Sequence, residues 1–214
     1  MNSKYQYYEN HYDFFDRKEY YERMIFPKSI SLFTKAWQSK KSTLLIDSPI
    51  IFRGLKFGDN PEIISKKLGD PRFVIESHGI SSLVFFYKEK INRHRVITQI
   101  HFIRDEFFCA CYTFRYENHA QRLLVKKTLF EKYANMDSED IFLNARPGNA
   151  IGKYDSLVDE TGNIIHMVDN VNFHIIYLWG DEKVRNEVAG VIRSGHFHEA
   201  TKKQVSMKDL FSKL

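Results

Sequence analysis

Nine histidines give this 214-residue chain most of the groups that could transfer a proton or hold a metal near neutral pH. His196 and His198, in Gly195-His-Phe-His, stand two residues apart, a spacing that places both imidazoles on one face of extended backbone. A zinc site needs at least a third protein ligand. His174 supplies one only if its strand end lies beside that segment, so the pair reads as exposed or helix-C-terminal histidines and no bound metal is expected. Gln99 and His101 share one strand face, and a cleft bringing Asp105 or Glu106 to them would permit acid–base work. With no nucleophile in reach, the plainer reading is a hydrogen-bonded sheet surface. The two cysteines, Cys109 and Cys111, also share a strand face. Two thiols without further ligands make an incomplete site, so they read as small buried apolar side chains suited to reducing cytoplasm. The chain contains no phosphate-cradling glycine loop, dinucleotide fingerprint, nucleophile elbow or helical His-Glu-x-x-His array, and no cofactor is implied.

The elements that would position these residues are legible from caps and periodicity. Gly58-Asp59-Asn60-Pro61 is the clearest signal: Asn60 or Asp59 can accept from orphan amides, Pro61 fits the first helical position and Gly69 can end the helix, giving a short helix over 61–68. Runs rich in β-formers follow at 73–77, 83–87, 96–104 and 107–114 and read as an antiparallel meander. Val96, Ile100 and Phe102 are core candidates on one strand, and Phe108, Ala110, Tyr112 and Phe114 on the next. Residues 116–134 have helical composition, and a loop of acidic residues and turn formers follows to Pro147. A second strand group is expected at 153–158, 164–168 and 171–179, with a two-residue hairpin at Asp169-Asn170. Asp181 can cap a last helix from Glu182 to about Arg193, ended by Gly195. Strands followed by a helix thus occur twice.

The expected fold is α+β: an antiparallel sheet of six or seven strands with helices mainly on one face. An N-terminal helical segment (1–47) precedes a core (48–200) and a short amphipathic tail (201–214). In the N-terminal segment Phe26, Ile30, Phe33 and Trp37 recur at helical spacing as one apolar stripe, accompanied by Lys28, Lys35, Lys40 and Lys41. That stripe can pack on its own domain, dock into a partner, or lie on an anionic membrane surface.

The stretch from Gly54 to Pro71, with Gly58, Glu62, Ile63, Leu68, Gly69 and Pro71, followed by strands to residue 115, resembles the helix-then-hairpins start of SmpA/OmlA-like and β-lactamase-inhibitor-like modules. The resemblance implies a non-enzymatic, protein-binding scaffold. Those envelope lipoproteins carry an exported leader and a lipid-bearing cysteine, features not found here, so an envelope location is not carried over.

Charge supports the same reading. The 32 basic residues are offset by 27 acidic ones, and the pairs Lys40-Lys41, Lys66-Lys67, Lys126-Lys127 and Lys202-Lys203 are scattered, so nucleic acid is not an expected partner. No apolar run is long enough for a transmembrane helix and no secretory leader opens the sequence, so a cytoplasmic location is expected. The leading expectation is a non-catalytic protein-interaction or scaffold domain, with a protein partner or a homo-oligomer. The alternatives are an enzyme with a dispersed His/carboxylate pocket, or a peripheral membrane protein held by the N-terminal helix.

Overall fold

The computed structural model describes residues 20–21, 43–78, 80–91, 94–115, 117–135, 154–169 and 172–193. Phe26, Ile30, Phe33, Trp37, Lys40, Lys41, His196 and His198 lie outside them, as do the turn residue Asn170 and the whole C-terminal tail.

Local chemistry sets the helix ends. In α1 (Pro61–Leu68) Asn60 Oδ1 accepts from the Ile63 amide at 2.9 Å, proline fills the first turn, and Lys66 and Lys67 sit at the negative end of the dipole. Gly69 closes the helix at φ +82°, donating its amide to the Ser65 carbonyl at 2.9 Å. In α2 (His119–Ala134) a reciprocal capping box joins Asn118 and Gln121, each side chain accepting from the other's amide at 2.9 Å. Asp181 caps α3 (Glu182–Arg193) by accepting from the Val184 amide at 3.0 Å.

The strands are β1 (Thr43–Ile46), β2 (Phe73–His78), β3 (Ser81–Ile91), β4 (His94–Ile103), β5 (Glu106–Phe114), β6 (Ser156–Asp159), β7 (Ile164–Asp169) and β8 (Phe173–Leu178). They form one eight-stranded sheet in the order β1-β6-β7-β8-β5-β4-β3-β2. Every pairing is antiparallel except β1 with β6, so the sheet is mixed and one strand longer than the upper expectation. The extra strand is Thr43–Ile46, which falls within the N-terminal segment expected to be helical. The ladder between β7 and β8 runs on to Asp169↔Phe173, so Asp169 is a strand residue rather than part of a two-residue turn.

Of α1, α2 and α3, the first two lie against one sheet face, as expected, and α3 does not. The first face packs Phe85, Ile100, Phe102, Ala110, Ile165, Ile175 and Tyr177 under α1, α2 and the 50–57 connection, through Ile64, Leu129, Phe130, Phe52 and Leu55. The opposite face carries Cys109, Cys111, Ile176 and Leu178, covered by Val184 and Val188 of α3. On the same face Tyr21 stacks on Phe73, centroids 4.4 Å apart, within a cluster of Ile75, Val84, Phe86 and Ile97. Helices on opposite faces also show that the repeated strands-then-helix order is not a two-fold symmetric duplication. A perpendicular two-fold axis through the antiparallel β5–β8 pair would have put α2 and α3 on the same side.

One register detail corrects the expected core. The β4–β5 ladder shifts between His101↔Cys109 and Phe102↔Phe107, a β-bulge whose extra residue is Phe108. Phe107 therefore joins the face of Ala110 and Phe114, while Phe108 goes with Cys109 under α3. Simple alternation instead places Phe108 with Ala110. Among the described residues no helix is long and apolar enough to cross a membrane.

Candidate functional site

Three of the described histidines lie on the sheet face that α3 packs against, each bonded to a hydroxyl of its own. His101 on β4 is joined to the Ser81 hydroxyl by a hydrogen bond of 2.9 Å at Nδ1, and it is 4% exposed rather than on an outer surface. His174 on β8 meets the Thr113 hydroxyl at 3.1 Å, and His166 on β7 meets the Ser156 hydroxyl at 2.7 Å. Burial lowers the His174 pKa from 6.5 to about 4, and lowers that of His166 against the opposing pull of Asp155. Both imidazoles are therefore neutral near pH 7. Cys109 and Cys111 are buried and unbridged, as expected. Burial raises the Cys109 thiol well above its ordinary value and pushes Cys111 up to about 12, which removes the thiolate a nucleophile or metal ligand requires. Among the described residues no three His, Cys, Asp or Glu side chains stand close enough to hold a metal ion.

A second polar centre is Asp159 at the end of β6, 4% exposed. One oxygen accepts from the Thr161 amide, the Thr161 hydroxyl and the Asn163 amide at 3.0, 2.7 and 2.9 Å. The other accepts from Asn163 Nδ2 at 3.1 Å and, across the fold, from the Ile50 amide at 2.9 Å. These bonds organise the β6–β7 turn and tie the segment after β1 to it. On the first face Arg53 Nη1 contacts both oxygens of Glu89, at 2.9 and 2.7 Å, and the Thr98 hydroxyl donates to the same carboxylate. Burial raises the neighbouring Tyr112 pKa.

A group of solvent-facing cations lies elsewhere, at the far end of the β3–β4 pair. An open depression of about 920 Å3 is lined there by Tyr20, Lys88, Lys90, Arg95, Ile97 and Arg115, together with Glu89, His94 and Glu117. Its carboxylates are already engaged, Glu89 by Arg53 and Glu117 by His94 Nδ1 at 2.8 Å. Lys88 lies 5.2 Å from the ring centroids of both Tyr20 and Tyr21, and Arg115 reaches the Tyr20 hydroxyl at 3.4 Å. Lys90 and Arg95 are exposed and sit directly opposite one another across the two strands. Among the described residues no carboxylate lies within salt-bridge distance of Lys88, Lys90 or Arg95.

The sequence reading singled out adjacent basic pairs and passed over this set. The available signal was Lys88-x-Lys90 followed by Arg95: on a strand, cations two residues apart share a face, whereas adjacent ones do not. Of the metal candidates, His174 is placed in a hydrogen-bonded pair inside the sheet, and the Gly195-His-Phe-His pair lies outside the described residues. No family model matches the chain, and neither a curated protein nor a solved structure does.

Proposed function

We propose that the chain is a non-catalytic protein-interaction domain whose contact surface includes the basic end of the β3–β4 pair. The observation that carries this reading is a division of labour among polar side chains. Those that resemble catalytic groups, His101, His166, His174, Cys109, Cys111 and Asp159, are buried or half-buried and committed to internal hydrogen bonds or packing. Lys88, Lys90 and Arg95, which have no carboxylate within salt-bridge distance among the described residues, are exposed and available to a partner. A general base needs a proton acceptor within reach of bound substrate. His101 instead meets a serine hydroxyl within the sheet and packs near the Phe108 ring, 6.3 Å between centroids.

Native purification of the full chain tests the reading. The expected result is a protein recovered at a constant molar ratio in independent preparations, with a complex that re-forms from purified components. The reading is overturned if the purified chain alone turns over a component of a fractionated cell extract and a folded His101→Gln variant does not.

A further inference from the structure

The β3 edge and its lysines carry a more specific inference, which rests on the interaction-domain reading. We propose that the overhanging end of β3 accepts an extended acidic segment of a partner protein as an added strand, with Lys88, Lys90 and Arg95 engaging its carboxylates. The β2–β3 ladder stops at Phe73↔Phe86, while β3 continues to Ile91 and stays paired with β4 throughout. From Tyr87 to Ile91, β3 therefore has a strand on one side only among the described residues. At the last β2 contact the Arg72 amide donates to the Phe86 carbonyl at 2.8 Å. Backbone groups change sides with each residue of a strand, so the N–H and C=O of Lys88 and Lys90 are directed to the side of that carbonyl. No turn, loop or cap bond among the described residues reaches either lysine's backbone. Among the described residues these groups are thus an open template for a further strand.

The side chains then define what that strand must carry. Lys88 and Lys90 project from one face about 6.8 Å apart, which is also the repeat of alternate side chains on an incoming strand. Arg95, opposite Lys90, adds a third cation, and like charges facing one another across a ladder destabilise the pair. Carboxylates placed between them remove that repulsion. A polypeptide is favoured over a phosphate, a nucleic acid or a lipid surface because the template is made of main-chain donors and acceptors, which only another backbone matches in register. A second copy of the same edge is disfavoured, since it would bring lysine against lysine.

The test is fluorescence anisotropy with the full chain at low ionic strength and a capped, labelled peptide of alternating Glu and Thr. Saturable binding is expected, weakened at least about tenfold, or about 1.4 kcal/mol, by Lys90→Glu with Arg95→Glu. Methylating alternate amide nitrogens of the peptide should weaken it to a similar degree, and bound peptide should slow amide exchange at Lys88 and Lys90. All substituted side chains are exposed, so the thermal midpoint should hold; Lys90→Glu alone, which places a carboxylate opposite Arg95, is the more conservative variant. The inference is overturned if the methylated peptide binds as tightly as its parent, if charge reversal leaves affinity unchanged, or if heparin, inorganic phosphate or phosphatidylserine vesicles bind in preference to the peptide. Absence of peptide binding, with a native partner complex that survives the charge reversal, overturns this inference while leaving the interaction-domain reading in place.

Discussion

Replacing Asp159 by alanine should destabilise the protein more than any single exposed substitution. The side chain accepts from Ile50, Thr161 and Asn163, five donor atoms in all. A hydrogen bond to a charged group contributes about 1.5–3 kcal/mol, but the five are not additive because several donors can recover water once the carboxylate is gone. Thr161 is exposed and Asn163 half-buried, so their donors are resolvated at modest cost. The Ile50 amide belongs to a residue only 3% exposed and stays without an acceptor. Combining one stranded amide with partial loss of the turn network gives about 4 kcal/mol. In urea unfolding, with a slope of roughly 2 kcal/mol per molar, the midpoint should fall by about 2 M at unchanged slope. Asp159→Asn is the informative companion. With its oxygen in the Oδ1 position it keeps the acceptor for Thr161 and the Asn163 amide, but sets a donor against Ile50, so about half the loss is expected. A cost for Asp159→Ala below about 1 kcal/mol would refute the reasoning, by showing that the turn and the Ile50 segment hold themselves.

Two further outcomes follow from burial and close approach. Because the folded pKa of His174 is about 4 against an ordinary 6.5, the unfolded chain binds the additional proton between those values. Its contribution is intact above pH 6.5 and declines by about 3 kcal/mol as pH falls to 4, so urea midpoints should drop across that window and drop less in a His174→Gln variant. Gly180→Ala should lower the thermal midpoint, since its Cβ would stand 2.3 Å from the Gly162 carbonyl carbon and 2.6 Å from the Asn163 nitrogen. Separating those backbones also disturbs the Gly180 amide's bond to Asn163 Oδ1 at 2.8 Å, and a cost of about 2–3 kcal/mol is expected; an unchanged midpoint contradicts the contact.

What the sequence disclosed follows the range of the forces involved. The cap at Asn60, the stop at Gly69 and the cap at Asp181 depend on neighbours within four residues, and each forms as its residue types imply. Strand positions along β2 to β8 were likewise legible from β-branched and aromatic runs. Long-range pairing was not. Nothing local marks Thr43–Ile46 as a strand, because its partner Ser156–Asp159 is supplied by a distant segment. The Phe108 bulge escaped because three consecutive residues, Phe107, Phe108 and Cys109, are all fully buried, and hydrophobicity cannot say which of them breaks the alternation. The side of the sheet taken by α3 depends on the path of the whole chain. At the basic end, residue types were visible but their meeting was not, since Lys90 faces Arg95 only through the β3–β4 register, and Arg115 joins them only because β5 lies next to β4.

The parallel pairing of β1 with β6 also governs the order in which the chain can finish folding. Ile50 and the Asp159 carboxylate that receives its amide are 109 residues apart. During synthesis at about 5–20 residues per second, Leu44, Ile46, Phe52 and Leu55 therefore emerge roughly 5–20 s before the strand that completes their surroundings. Throughout that interval an apolar segment destined for the core has no lasting place in it, although the β2–β5 meander can already form beside it. The edge of the sheet that is made first is the one that closes late, and during that delay it is the part of the nascent chain most open to chaperones and to misassociation with other copies.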